Sequence, residues 1–73
     1  MIGYSVHIRD LNRKAKNKHL GVRLGKFCIA NNIPVTQVMG MFDVSKQTVY
    51  NWFSGKHAPK PHHQELIIAH FPM

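Results

Sequence analysis

Residues 35–54 read VTQVMGMFDVSKQTVYNWFS, and Gly55 follows at once. Apolar residues recur there in two sets, each spaced for one face of an α-helix: Val38, Met39 and Phe42, then Val49, Trp52 and Phe53. Between the two sets, Asp43 is a residue type that tolerates the left-handed backbone of a tight turn. Ser45 is a good N-cap for a second helix, and Gly55 is a good C-terminal stop. The pattern predicts two short helices joined by a tight turn.

The side of this segment that lies away from the apolar faces is polar and cationic, and it bears almost no carboxylate. It bears Ser45, Lys46, Gln47, Tyr50, Asn51 and Ser54. Amides and cations of this kind pair with base edges in the DNA major groove. The sequence therefore favours a DNA-reading surface, and the alternative is an ordinary helical hairpin in a small bundle.

The spacing over roughly residues 20–70 resembles that of the lambda-repressor-like (Cro/C1, XRE) helix-turn-helix family. Apolar positions and a Gly-Lys-x-x-Pro ending carry the resemblance: Val38, Phe42, Val44, Val49, Trp52, Gly55, Lys56 and Pro59. Upstream, LGKFCIANNIP at residues 24–34 is similar to the family's first helix and its link to the second. The chain departs from the family pattern at three positions, the small residue of the second helix, its turn glycine and its opening glutamine, which are here Met39, Asp43 and Val35. The resemblance implies a small all-α domain of four helices.

The resemblance also implies a recognition helix, about Ser45 to Ser54, lying in the major groove. The base-reading positions are then held by Lys46, Gln47 and Asn51, with Tyr50 as an intermediate case. Lysine can donate to guanine O6 and N7, and the two amides can pair bidentately with adenine. Phosphate contacts are expected from the start of each of the two helices and from the segment after the second: Thr36, Ser45, Lys56, His57 and Lys60.

Composition independently points to a polyanion as the partner. The 73 residues allow one domain with a thin core, and the single cysteine allows no internal disulfide. Ten Lys and Arg against three Asp and Glu give a formal net charge of +7. No run approaches the ~20 apolar residues of a membrane span, and the N-terminus lacks a signal-peptide pattern. We expect a cytoplasmic protein of a bacterial cell or of a phage-infected host.

Residues 1–18 are predicted to form a basic N-terminal arm before a helix-turn-helix domain at 19–73. Tyr4, Val6 and Ile8 alternate with polar residues, which is the period of a strand. Such a strand would pair with a second copy, and otherwise the segment would be a disordered tail. The run that follows is a solvated segment, a phosphate-tracking arm or both, through Arg9, Arg13, Lys14, Lys16 and Lys18.

Two further helices frame the helix-turn-helix. The first is predicted from near residue 17 to residues 31–32, on an apolar stripe of Leu20, Leu24, Phe27 and Cys28. Gly21 and Gly25 weaken this helix but allow a neighbouring helix to approach closely. Pro34 is expected to open the next helix. The last helix, about residues 62–70, has more apolar residues than one buried stripe requires: Leu66, Ile67, Ile68, Ala69 and Phe71.

Residues for other chemistry are few. Asp10, Asp43 and Glu65 are scattered among different elements, so no pair is expected to do acid–base work. Cys28 lies on an apolar stripe, where a buried small hydrophobe is expected. The histidines at 57, 62, 63 and 70 with one thiol make a weak set for structural zinc. We therefore expect neither an enzyme nor a bound metal or cofactor.

These observations predict a stand-alone, Cro-like transcriptional regulator that binds a double-stranded DNA operator. It would act as a homodimer, in solution or only on DNA, through either the last helix or the N-terminal strand. Two alternatives stay open. One is a protein-binding adaptor or antitoxin-like module that uses the last helix, and the other is a nonspecific nucleic-acid-binding protein.

Overall fold

A computed structural model describes residues 4–16 and 18–72 of the chain. The described residues contain five α-helices and no strand: α1 (Val6–Lys14), α2 (Leu20–Ala30), α3 (Val35–Phe42), α4 (Lys46–Ser54) and α5 (Pro61–His70). This confirms the all-α prediction. The count of four helices is wrong, because α1 precedes the four that the sequence predicted. Residues 1–3 of the predicted arm, and residue 17, where α2 was expected to begin, lie outside the described residues.

The strand interpretation of Tyr4, Val6 and Ile8 is wrong, because residues 6–14 are helical. The Ser5 Oγ caps the helix by accepting a hydrogen bond from the Ile8 N–H at 3.2 Å. Ile8 and Asn12 are buried four residues apart on one face of α1, and Tyr4, which precedes the N-cap, is buried as well. Val6, which completed the alternating pattern, is 80% exposed on another face.

One buried polar side chain fastens α1 to two other helices. Asn12 is 3% exposed, and its Nδ2 donates to the Phe53 carbonyl at 2.8 Å and to the Val22 carbonyl at 3.1 Å. The Lys26 Nζ donates to the Asn12 carbonyl at 3.1 Å. The first helix is therefore part of the same packed unit as α2 and α4, and is not a detached arm.

The core is formed where α2 crosses α4. A Cβ atom built on Gly21 would lie 2.8 Å from the Trp52 Cβ, and one on Gly25 would lie 2.8 Å from the Phe53 Cγ. The two glycines therefore permit the close approach that the sequence suggested. Around this contact the most deeply buried side chains are Val22, Leu24, Cys28, Val38, Val49, Phe53 and Ile67.

The predicted helix–turn–helix element is confirmed in its local geometry. Asp43 has a φ of 55°, and Gly55 has a φ of 79°, so both adopt the left-handed backbone expected of them. The Ser45 Oγ accepts a hydrogen bond from the Thr48 N–H at 3.2 Å and caps α4. All the apolar residues assigned to the two buried faces are buried except Met39, which is half-buried.

The last helix divides its apolar residues between the core and the surface. Ile67 is fully buried, and the Phe71 ring lies 6.3 Å from the Phe42 ring in a stacked arrangement. Leu66 is 37% exposed and Ile68 is 68% exposed, so these are the two large apolar residues of α5 that the core does not bury. Within the described residues, none of the helices has the length and apolar character needed to cross a membrane.

Candidate nucleic-acid interface

Helix α4 buries one side in the core, and two amide side chains lie on its opposite side. Val49, Trp52 and Phe53 are buried. On the opposite side the Gln47 Nε2 donates a hydrogen bond to the Asn51 Oδ1 at 3.0 Å. The two residues are one helical turn apart, so they form a short polar ridge along the helix. We call Gln47 and Asn51 the amide ridge.

A groove runs along one flank of the amide ridge, between α1 and α4. It has a volume of about 300 Å³ and is lined by residues of both helices and by the residue after Gly55: Ser5, His7, Ile8, Leu11, Gln47, Tyr50, Asn51, Ser54 and Lys56. This lining contains no carboxylate. The α1–α4 groove therefore presents an apolar floor and a polar, cationic rim.

A second groove runs along the other flank of the ridge, between α4 and the start of α5. It has a volume of about 330 Å³ and is lined by Val44, Thr48, Asn51, Trp52, His57, Ala58, Lys60 and His63, again without a carboxylate. Because Asn51 lines both grooves, it lies on the crest between them. We call this the α4–α5 groove.

Lys46 and Tyr50 form a second pair on the same helix. The Lys46 Nζ lies 5.4 Å from the centre of the Tyr50 ring, within the range of a cation–π interaction. Lys46 is exposed in the first turn of α4, whereas Tyr50 is half-buried and also lines the α1–α4 groove. All four predicted base-reading residues therefore lie on or beside the amide ridge.

The predicted phosphate-contacting residues after α4 lie on both flanks of the ridge. Lys56 lines the α1–α4 groove, and His57 and Lys60 line the α4–α5 groove. Thr36 is exposed in the first turn of α3. Ser45 is exposed as well, but its Oγ already accepts from Thr48 and lies 3.0 Å from the Thr48 Oγ1.

The predicted basic arm is not brought to the ridge. Arg9 and Arg13 line a cleft between α1 and α2, and Arg13 and Lys14 pair with Asp10, the latter at 2.9 Å. Hydrogen bonds from Lys14 and Arg13 hold the pKa of the Asp10 carboxyl below its ordinary value. Lys16 is exposed after α1, and Lys18 lines a cleft between α2 and α5.

Sequence reasoning missed the residues that α1 contributes to its groove with α4. The strand interpretation assigned no DNA contact to His7 or Leu11. Because residues 6–14 are helical, both side chains line the α1–α4 groove beside the ridge. The signal was present in the chain. Tyr4, Ile8 and Asn12 have helical spacing, and Ser5 is a favourable N-cap residue just before the helix.

His63 was also missed as a neighbour of the α4–α5 groove. Its ring centre lies 5.2 Å from that of Trp52 and 6.1 Å from that of Phe42. Partial desolvation, helped by the nearby charges of His62 and Lys60, lowers the pKa of His63. The His63 ring therefore packs against aromatic side chains of α3 and α4 at the bottom of the α4–α5 groove.

The described residues offer little for metal or thiol chemistry. Residues 4–16 and 18–72 contain no cluster of three or more His, Cys, Asp or Glu side chains that could hold a metal ion. Cys28 is fully buried, as predicted, and burial raises the pKa of its thiol to about 12.

Comparison of the chain with protein-family models, with curated proteins and with solved structures finds no match. The likeness to the lambda-repressor-like family therefore rests on the sequence pattern of roughly residues 20–70 alone.

Proposed function

We propose that this chain is a sequence-specific double-stranded DNA-binding protein of the lambda-repressor-like kind, which regulates transcription by occupying an operator. One observation carries the proposal: α4 presents an amide ridge between two grooves that contain cations and no carboxylate. An α-helix with its side chains is about 10–12 Å across, which matches the ~12 Å width of the major groove. The ridge would face the base edges.

Each residue near the ridge then has a distinct role. Gln47 and Asn51 pair with adenine through their amides, and Lys46 donates to guanine. Tyr50 contacts a thymine methyl group with its ring or a phosphate with its hydroxyl. Lysine and tyrosine are already in contact with each other, so a base that attracts Lys46 must draw it from the Tyr50 ring.

Phosphate contacts fix the register of this complex. Lys56 lies on one flank of α4, and His57 and Lys60 lie on the other, so each flank has a cation for one DNA strand. Thr36 adds a hydroxyl at the start of α3, where the helix dipole is positive. These contacts set affinity and orientation, whereas the ridge sets sequence preference.

We propose a homodimer through α5, formed in solution or only on DNA. One recognition helix reads too few base pairs to mark one operator among many competing sites. Two-fold dimers solve this with half-sites about one helical turn apart. Ile68 is 68% exposed and gives α5 an apolar position for such a contact, whereas residues 6–14, where a pairing strand was expected, are helical. The setting is the cytoplasm of a bacterium or a phage-infected host, and the activity is binding without catalysis or cofactor.

Selection of bound sites from random duplex DNA tests this function. On the selected duplex at ~0.15 M salt, Gln47→Ala and Asn51→Ala should each weaken binding by roughly 5- to 150-fold, the loss of one bidentate base contact. Binding to unrelated duplexes should barely change. Asn31→Ala is the matched control, because Asn31 is an exposed amide at the C-cap of α2 that lines neither groove of α4.

The result separates the candidate functions. Equal weakening on all sequences would indicate a nonspecific nucleic-acid-binding protein. Binding that enriches no sequence would indicate the same, whereas failure to bind any duplex would favour the protein-binding alternative. The observation behind that alternative is the exposed Ile68, which lines a cleft with the cations Lys18 and Arg23.

Sedimentation on the selected duplex tests the dimer. We expect two chains per duplex, reduced to one by Ile68→Asp, which places a charge in the proposed contact. A single chain on a non-palindromic site would contradict the dimer.

A further inference from the structure

We propose that α1 is a second DNA-contacting element. The groove between α1 and α4 would hold part of the sugar–phosphate backbone on the DNA strand that borders the major groove on that side. Its α1 wall is the edge that carries His7 and Leu11. This inference rests on the proposed function and adds a contact that the helix-turn-helix itself does not contain.

The position of α1 beside α4 is firmly set. The Tyr4 ring lies 5.8 Å from the Phe53 ring, and the Asn12 Nδ2 donates to the Phe53 carbonyl at 2.8 Å. Both contacts are made with the last turn of α4. The first turn of α4, with Lys46 and Gln47, stays exposed. The first helix therefore flanks the recognition helix and leaves its N-terminal turn uncovered.

The dimensions of DNA then decide what α1 can touch. The major groove is ~12 Å wide, and one α-helix with its side chains already spans about 10–12 Å. A second helix packed beside α4 cannot enter the same groove. It must lie over the wall of the groove, and that wall is a sugar–phosphate strand.

The chemistry of the α1–α4 groove suits such a strand. Leu11, which is 38% exposed above the buried Ile8, supplies an apolar surface against which a deoxyribose can pack. His7, Ser54 and Lys56 supply donors at the rim for phosphate oxygens. The carboxylate of α1, Asp10, lies in the cleft on the other side, paired with Arg13 and Lys14.

The two faces of α1 provide a matched test. Leu11 is 38% exposed and lines the α1–α4 groove, whereas Val6 is 80% exposed and lines the cleft toward α2. Leu11→Glu and Val6→Glu change the net charge equally on the same helix. On the selected duplex, a carboxylate beside a phosphate should weaken binding about tenfold or more for Leu11→Glu, and by less than about threefold for Val6→Glu.

Substitution by lysine in place of glutamate distinguishes a lost DNA contact from a loss of folded protein. Leu11→Lys should bind the selected duplex more tightly than both Val6→Lys and the unsubstituted protein, and a loss of folded protein cannot raise affinity above that of the unsubstituted protein. The stem of the new lysine can cover the apolar floor while its ammonium group reaches the rim. Thermal unfolding of each variant accompanies the binding measurement.

A positional readout completes the experiment. A DNA-cleaving iron chelate attached at Leu11→Cys should cut the backbone beside the selected site, and the same reagent at Val6→Cys should not. The native Cys28 is fully buried, so the reagent reacts with the introduced thiol.

Each outcome has a distinct meaning. If selection enriches no duplex, the proposed function fails. If a duplex is enriched but the paired variants at 11 and 6 bind alike and neither directs cleavage, α1 does not contact DNA and the proposed function stands. Tighter binding by Leu11→Glu would show that α1 hinders access to DNA, which would also overturn the inference.

Discussion

Replacing Asn12 by alanine should destabilise the protein by about 2–4 kcal/mol, because its amide serves two helices from a buried position. The Phe53 carbonyl belongs to the last turn of α4, where no backbone N–H of the helix can reach it. Leaving such a buried acceptor unpaired costs about 1–3 kcal/mol, and loss of the bond to the Val22 carbonyl adds about 1 kcal/mol. A chain of 73 residues has roughly 4–11 kcal/mol of stability in all.

Asn31→Ala is a close control for that variant. The Asn31 Nδ2 donates to the Phe27 carbonyl at 2.8 Å, the same distance and the same pair of groups, but the bond is exposed. We expect a change within about 0.5 kcal/mol, since water replaces the lost donor. In thermal unfolding followed by circular dichroism, Asn12→Ala should lower the Tm by at least ~6 °C more than Asn31→Ala. Equal shifts would refute the argument that burial gives Asn12 its importance.

Three further predictions concern packing, the thiol and the charges around the ridge. Gly25→Ala should destabilise by about 1–3 kcal/mol in chemical unfolding, because its Cβ would lie 2.8 Å from the Phe53 Cγ, whereas Gly40→Ala, with nothing within 4 Å, should stabilise by up to ~1 kcal/mol. Equal changes in stability for Gly25→Ala and Gly40→Ala would show that α2 and α4 can move apart at little cost to accommodate the added methyl group. Cys28 should resist a thiol reagent in the native protein at pH 8 and react on unfolding; fast native labelling would contradict its burial and a pKa raised to about 12. Lys60→Ala should make the slope of log K against log salt shallower by about 0.9, whereas Arg9→Ala, which lines the cleft away from the ridge, should leave it unchanged. If Arg9→Ala made the salt slope shallower and Lys60→Ala did not, the DNA would lie on the α1–α2 side.

Local signals made most of the fold predictable. The Ser45 cap and the left-handed positions at Asp43 and Gly55 depend on a few neighbouring residues, so sequence alone places them. The apolar stripes of α2, α3 and α4 are long enough to show a helical period. The same signals bring the four predicted base-reading residues to one side of α4.

The first helix could not be placed in the same way, because two periods compete in a short segment. Tyr4, Val6 and Ile8 match a strand, while Tyr4, Ile8 and Asn12 match a helix whose third buried residue is polar. An asparagine in a core is expected only when specific partners satisfy it. Those partners, the carbonyls of Val22 and Phe53, come from distant parts of the chain, so tertiary structure decides the outcome.

The placement of the basic run could not be predicted from sequence for a related reason. Composition counts the cations of residues 9–18 but does not tell which way each one faces. Once α1 is a helix, its period separates Arg9 and Arg13 from the edge that carries Leu11. Charge that looks continuous in sequence is thereby distributed around the molecule.

Under the proposed function, the amide ridge would contact base edges without losing the hydrogen bond that joins its two residues. The Gln47 Nε2 carries two hydrogens and the Asn51 Oδ1 has two lone pairs, so each keeps one site after forming their mutual bond. The free Gln47 Oε1 and Asn51 Nδ2 remain for other partners as well. Helix α4 is held at its start by the Ser45 cap and at its end by Asn12, so little ordering is needed on binding. The two amides would therefore enter the major groove as one preorganised unit, and base preference would be a property of the pair.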